Sequence, residues 1–179
     1  MSVRDSRGFT LIELIIVAAI IAIVMSIAMP MYLHARLRAN ETSAIGSLQS
    51  INQAQHVFAQ TCGRQKYATS LPGLAKVNPG TSEPYLSPDL TAAKEIVKNG
   101  YLIQMSGAEV PDPIQTCTGE TPADGYQSTA DPTIPGSSGL RFFGSNGAVV
   151  IYESLETLTG KMPEQGAPNI GQEIKGIAR

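Results

Sequence analysis

The chain has 179 residues, a formal net charge of -2 and only 16% charged residues. This length fits one globular domain with an extension and is too short for two full domains. The slightly acidic balance gives no basic surface of the kind that nucleic-acid binding needs, so no nucleic-acid partner is predicted. Residues 9–33 contain a single charge, Glu13, which explains much of the shortage of charged residues.

The N-terminus combines a short polar stretch with a long apolar one. Residues 1–8 are polar and carry Arg4 and Arg7, whereas residues 9–33 are almost wholly apolar. About 20 apolar residues are enough for a helix to cross a bilayer. Basic residues before such a helix keep its N-terminal end in the cytoplasm and send the rest of the chain outward. We therefore expect a chain that enters a membrane and exports its C-terminal part.

Two ordinary interpretations of this segment are open at this point. One is a secretory signal peptide that is cut after Ala28, and the other is a signal anchor that is never cut. Neither accounts for Glu13. A carboxylate within a membrane-spanning helix is energetically costly, so it is usually functional and has a partner that compensates its charge.

The residues around Glu13 match the pattern of a known family. Residues 7–14 read RGFTLIEL, and a proline, Pro30, follows at the twenty-second position after Gly8. This combination resembles the class III signal of type IV prepilins and type II secretion pseudopilins. The resemblance implies a leader, residues 1–8, and a transmembrane and assembly segment, residues 9–33.

The resemblance also implies how the chain matures and assembles. A prepilin peptidase/methyltransferase would cut between Gly8 and Phe9 and methylate the new amine of Phe9. An inner-membrane assembly platform would then build a homopolymer of the chain. Glu13 would pair with the amine of Phe9 on a neighbouring copy, and this pairing would fix the register because both charges are poorly solvated in the membrane. Glu13→Ala or Glu13→Leu would then leave a processed, membrane-resident subunit with little filament.

The helix is predicted to continue beyond the apolar segment. Pro30 removes a backbone donor and should produce a helix kink. Residues 34–62 then repeat apolar residues at three- and four-residue steps, which predicts an amphipathic half that ends near Cys62, with Gly63 as its C-cap. His34 and His56 lie on this helix without a catalytic or ligand partner in the sequence, and we interpret them as polar surface.

The two cysteines predict one disulfide, Cys62 to Cys117. An even number of cysteines beyond an export segment favours a disulfide in an oxidising compartment. Two cysteines and two histidines fit no zinc spacing, so no metal site is predicted.

The C-terminal half has the pattern of a small β head, residues 63–156, followed by an exposed tail, residues 157–179. Ser87 and Pro88 predict the start of a short helix that Gly100 ends. Alternation from Tyr101 to Met105 predicts a strand, and residues 125–130 predict a weaker one. The clearest signal is a hairpin, residues 140–152, with a type I′ turn at Asn146-Gly147. The predicted fold class is α+β: a long N-terminal transmembrane and amphipathic helix packed on an antiparallel sheet of three or four strands.

The motifs favour a structural subunit over an enzyme. The sequence has no P-loop, nucleophile elbow, paired histidine ligands or dinucleotide turn, so no catalytic residue and no cofactor are predicted. We expect a subunit of an extracellular type IV pilus-like filament that serves adhesion, motility or DNA uptake. The alternative is the major pseudopilin of a type II secretion system, which would form a periplasmic filament that moves folded exoproteins.

Overall fold

The computed structural model describes residues 9–77, 80–110 and 115–174. The leader, residues 1–8, which includes Gly8 of the predicted cleavage site, lies outside the described residues. The described elements are α1 (Leu11–Thr61), a 3-10 turn (Leu71–Ala75), α2 (Pro88–Thr91), β1 (Glu95–Lys98), β2 (Tyr101–Ser106), β3 (Gln127–Pro132), β4 (Phe142–Asn146), β5 (Ile151–Ser154) and β6 (Gln172–Glu173). The chain divides into two units, Met1–Arg36 and Leu37–Arg179, which are described separately below.

The first unit contains the apolar half of α1. Every side chain from Phe9 to Arg36 is exposed, including the aliphatic ones on all sides of the helix. By length and composition, α1 is the one described helix that is apolar enough to cross a membrane. The helix continues without a break through Pro30, and a bend at this residue stays a prediction. One turn earlier, the hydroxyl of Ser26 donates a hydrogen bond to the carbonyl of Ile23 at 2.7 Å.

The second unit is the head, in which the amphipathic half of α1 packs against a sheet. The predicted apolar stripe of the helix is buried, and Leu48, Ile51 and Phe58 are at most 1% exposed. They form one core with the inward side chains of the sheet, which include Tyr101, Ile103, Met105, Ala130, Phe143 and Ile151. The alternation of buried and half-buried residues along β2 confirms the strand predicted there.

The sheet is a six-stranded antiparallel meander in the order β1-β2-β3-β4-β5-β6. The α+β class and the helix-on-sheet arrangement are therefore confirmed. The sequence predicted three or four strands, and the additional strands lie at the two edges. β1 was interpreted as part of a helix, and β6 is only two residues long.

The first hairpin of the sheet was missed because its turn was interpreted as a helix end. The short helix stops at Thr91, and Val97 is an exposed residue of β1 rather than part of an apolar helix face. Asn99 and Gly100 have φ angles of 47° and 75° and connect the paired residues Lys98 and Tyr101. Two central residues with positive φ are typical of a type I′ turn, which Asn-Gly favours.

The turn predicted at Asn146-Gly147 is wrong, although the two strands beside it are confirmed. Ser145 and Ile151 are the last paired residues, and Val149 is the residue with a left-handed φ, 63°. Asn146 is fully buried, and its side-chain nitrogen donates to the carbonyls of Pro163 and Gly166 at 3.0 and 2.6 Å. Its side chain is therefore held by a later segment and does not sit in a solvent-exposed turn.

The segment after β5 packs on the outer face of the sheet, which differs from the exposed tail predicted for residues 157–179. Leu158 and Met162 are buried against Tyr152, and β6 pairs with β5. Gly144 permits this packing, because a Cβ at this position would lie 3.0 Å from the sulfur of Met162 and 3.1 Å from Cδ1 of Leu158. Leu158 and Met162 thus cover part of the face of the sheet opposite α1, while β6 extends the sheet at its edge.

Two of the turn glycines of the head, Gly100 and Gly136, provide a matched pair of substitutions. Gly100 and Gly136 both have left-handed φ angles, but a Cβ on Gly100 would lie 2.8 Å from Cβ of Ser138, whereas one on Gly136 would meet nothing within 4 Å. We expect Gly136→Ala to cost about 1 kcal/mol from backbone strain alone. Gly100→Ala should cost about 2–4 kcal/mol because overpacking is added to the strain. Urea unfolding of both variants measures the difference, and equal losses would contradict this account.

Candidate assembly surface on the N-terminal helix

The first turn of α1 is closed by a reciprocal pair of side chains, Thr10 and Glu13. The backbone nitrogen and the hydroxyl of Thr10 donate to Oε2 of Glu13 at 3.0 and 2.7 Å. The backbone nitrogen of Glu13 donates in return to the hydroxyl of Thr10 at 3.3 Å. This arrangement is a capping box, which satisfies donors that a helix N-terminus would otherwise leave free. Thr-x-x-Glu is its sequence signal, and the sequence interpretation missed it.

The capping box leaves part of the Glu13 carboxylate available. All three hydrogen bonds of the box involve Oε2 or the backbone, and Oε1 has no partner among the residues that the structure describes. An ionised carboxylate has about four lone-pair sites, so it can hold the cap and still accept a donor from outside. The side chain of Phe9, directly before the box, is 77% exposed.

Glu13 is the only charge in an apolar surface. Residues 9–33 contain no other charged residue, and no described cation forms an ion pair with Glu13. The surrounding aliphatic side chains are roughly half to three-quarters exposed, as for Leu11 at 75% and Ile16 at 53%. Such a surface is stable only in lipid or against other apolar surfaces. In either setting, an unpaired carboxylate is costly.

The head contains a partly buried ionic cluster that the sequence interpretation did not identify. Arg141 donates through Nε and Nη2 to Oε2 of Glu41 at 3.0 and 2.7 Å, and through Nη1 to Glu153. The backbone nitrogens of Leu140 and Arg141 donate to Oε1 of Glu41 at 3.0 and 3.2 Å. The cluster thus connects α1 to β4 and β5. Burial would raise the pKa of Glu41, but the hydrogen bonds and charge of Arg141 and the Leu140 amide outweigh it and hold the pKa below 4.5.

We expect this cluster to stabilise the head in a pH-dependent way. The stabilisation should be complete above pH 4.5, the ordinary pKa of a glutamate, and should be lost as the pH falls through the lower folded-state pKa of Glu41. Arg141→Met should cost on the order of 2 kcal/mol at pH 7, less than for a fully buried pair because the arginine is partly exposed. Urea unfolding at pH 7 and pH 3 measures both effects. If wild type and Glu41→Gln lost the same stability on acidification, Glu41 would not be the titrating group.

The predicted disulfide is confirmed between Cys62 and Cys117. Their Cα atoms are 4.9 Å apart, and the backbone nitrogen of Cys117 donates to the carbonyl of Cys62 at 3.2 Å. The bridge ties the end of α1 to the loop before β3.

The C-terminal end of α1 lies where it was predicted, but its cap differs. The helix ends at Thr61, and the left-handed conformation that was expected at Gly63 occurs instead at Arg64 and Gln65. Gly63 is instead required for close approach, because a Cβ there would lie 2.1 Å from the carbonyl oxygen of Lys66.

The remaining candidates are at exposed positions. His34 and His56 are exposed, and His56 forms a hydrogen bond with Gln60 at 2.8 Å. Within the described ranges, no three histidine, cysteine, aspartate or glutamate side chains are grouped closely enough to hold a metal ion.

Comparison with known proteins places the N-terminal segment in a family. Residues 3–29 match the family described as the prokaryotic N-terminal methylation motif. A stretch of 55 residues is 46% identical to the "Type IV wide pilus major component PilA4" of Thermus thermophilus. Over these residues the chain is similar to type IV pilins. The matched stretch covers 31% of this chain and 42% of the pilin, so the chain spans less than half of the length of the relative it matches.

The pilin-like assignment agrees with the described fold. A long apolar helix that leads into an antiparallel sheet is the pilin-like arrangement. The matched signal includes Gly8, Phe9 and Glu13, and Pro30 lies just beyond it. The type IV pilins are structural subunits, so the two features most relevant to function are the apolar surface of α1 and its single carboxylate.

Proposed function

We propose that this chain is a structural subunit of an extracellular type IV pilus-like filament. The observation that carries the proposal is the fully exposed apolar half of α1 with the single carboxylate of Glu13 at its start. An apolar helix surface outside a membrane requires other apolar surfaces around it, and identical helices from neighbouring copies supply them. Polymerisation of the chain follows from this requirement.

Cleavage between Gly8 and Phe9 is the maturation step of this proposal. A prepilin peptidase/methyltransferase cuts the leader, residues 1–8, and methylates the new amine of Phe9. The matching methylation motif over residues 3–29 supports this step. Before assembly, the mature chain lies in the inner membrane through residues 9–33, and an assembly platform there adds it to the filament.

In this filament Glu13 has two tasks. Its Oε2 atom holds the capping box of its own helix, and its Oε1 atom accepts a hydrogen bond from the positive amine of Phe9 on the neighbouring copy. The capping box supports this division because it fixes the carboxylate while leaving Oε1 free among the described residues. A subunit displaced along the filament axis would leave one amine and one carboxylate unpaired in an apolar environment, which is strongly unfavourable.

A pilus fits better than the secretion pseudopilus that the sequence left as the alternative. The relative with 46% identity over 55 residues is named as a major component of a type IV wide pilus. Shearing the source cells tests this choice. A pilus subunit should appear in the filaments that shearing releases from the cell surface, and it should pellet at high speed. A chain found only in the cell envelope, with none in the sheared fraction, would contradict the proposal.

A further inference from the structure

A polar cavity of about 450 Å³ lies in the head just beyond the C-terminal end of α1. Its lining includes Gln65, Tyr67, Asp124, Gly147, Gln165 and Gly166. These residues come from four segments: the chain that follows α1, the loop before β3, the β4–β5 turn and the chain that follows β5. The ionic cluster and the disulfide use none of these side chains, and the ring of Tyr67 packs against Tyr126 at the edge of the core.

Backbone hydrogen bonds fix the walls of this cavity. Tyr67 and Ala123 exchange a pair of them at 2.9 and 2.8 Å, and the nitrogen of Gly147 donates to the carbonyl of Glu164 at 3.2 Å. The buried side chain of Asn146 holds the carbonyl of Gly166 at 2.6 Å. A cavity whose walls are held in this way is preformed, and a ligand would lose little free energy in ordering it.

The side chains that line the cavity have unused hydrogen-bonding capacity. The amides of Gln65 and Gln165 and the hydroxyl of Tyr67 form no side-chain hydrogen bond to any described residue. Asp124 uses Oδ1 to pair with Lys66, which leaves Oδ2 available. Each amide offers two donors and one acceptor oxygen, so the cavity presents donors and acceptors of both kinds close together.

The position of Gln65 is maintained at a cost in backbone strain. Arg64 and Gln65 are consecutive non-glycine residues with φ angles of 51° and 70°. Such residues are uncommon in the left-handed region, and the strain persists only where the surrounding structure imposes it. Here the hydrogen bond from the nitrogen of Gln65 to the carbonyl of Ala59, at 2.9 Å, holds the conformation that turns the chain into the cavity wall.

We propose that this cavity binds a neutral, hydroxyl-rich ligand, a carbohydrate. Sugar hydroxyls both donate and accept, which matches two amides, a carboxylate oxygen and a phenol. The charges around the cavity disfavour other classes of ligand. The described lining contains no cation, and the adjacent Lys66 is paired with Asp124, so the cavity offers an anionic phosphate little compensation. A single carboxylate does not form a metal site, and the lining contains no large aliphatic side chain for an apolar ligand.

Saturation-transfer NMR on the mature full-length chain tests this site independently of filament formation. The chain is kept in a zwitterionic detergent without a sugar head group, and the probes are the methyl glycosides of glucose, galactose and mannose. At least one should bind saturably with a Kd on the order of 1 mM, as expected for a small ligand held by a few hydrogen bonds.

Matched variants distinguish a loss of sugar binding at the cavity from a general disturbance of the head. Gln65→Ala and Gln165→Ala should each weaken binding about three- to tenfold, as expected for the loss of one or two hydrogen bonds. Gln53→Ala removes an exposed glutamine from a different groove of the head and should leave the affinity unchanged. Thermal melting of each variant checks that the head is folded. No saturable signal with any of the three glycosides, or an unchanged affinity in the Gln65→Ala/Gln165→Ala double variant, would overturn the proposal.

Discussion

Glu13→Gln is expected to abolish filament formation while leaving the subunit processed and in the membrane. Glutamine keeps a side-chain oxygen that can accept the hydrogen bonds from Thr10, so the capping box survives. The substitution removes only the negative charge that would compensate the amine of Phe9 on the next copy. Quantification of sheared filaments against total subunit should show at least a tenfold loss, an order-of-magnitude expectation for removing a charge from an apolar assembly surface.

A second substitution separates the effect of losing the capping box from the effect of losing the carboxylate charge. Thr10→Ala removes the hydroxyl that exchanges hydrogen bonds with Glu13 but leaves the carboxylate. We expect near-normal filament yield from this variant, since loss of a cap affects only the first helical turn. The opposite pattern, with normal filaments from Glu13→Gln and none from Thr10→Ala, would mean that Glu13 acts only within its own helix.

Replacing both cysteines with serine is expected to destabilise the head strongly. Cys62 and Cys117 are 55 residues apart, and the cross-link closes a long loop in the unfolded chain. In the chain-entropy picture, this constraint is worth about 4 kcal/mol. Urea unfolding of the oxidised wild type and of the Cys62→Ser/Cys117→Ser variant measures the difference at equal pH and temperature.

Reduction provides the control for this prediction. Wild-type protein in excess reductant should lose about as much stability as the double variant, and reductant should have no effect on the variant. If reduction destabilised the wild type far less than the serine substitutions did, the loss would come from packing of the cysteines rather than from the cross-link. Cys62 is 3% exposed and belongs to the core, whereas Cys117 is exposed, so a packing loss would come from Cys62 and this distinction requires the measurement.

Local patterns were sufficient to predict α1, the inner strands and the disulfide. The apolar run of residues 9–33 and the stripe through Leu48, Ile51 and Phe58 have helical periodicity whatever the rest of the chain does. Residues of β2 alternate in burial because one face of the strand lies against the core, so every second side chain is buried. The Thr10-x-x-Glu13 cap is equally local, but the cost of a charge in a membrane dominated the interpretation of Glu13.

Long-range contacts decided the features that could not be predicted. Asn99-Gly100 and Asn146-Gly147 are the same dipeptide, yet only the first forms a type I′ turn. The difference arises because the side chain of Asn146 bonds to backbone groups 17 and 20 residues later in the chain. Glu41 and Arg141 lie 100 residues apart, and no local pattern connects them. The candidate sugar site likewise depends on four separate segments that meet only in the folded head.

The mature N-terminus of the chain tests the central claim most directly. Mass spectrometry of the subunit from sheared filaments should identify an N-terminal peptide that begins at Phe9 and carries one methyl group on its amine. This result would place the charged amine directly before the capping box that Thr10 and Glu13 form, at the start of the apolar helix where intersubunit pairing requires it. A subunit that begins at Met29, after loss of the entire apolar helix segment, would contradict the account.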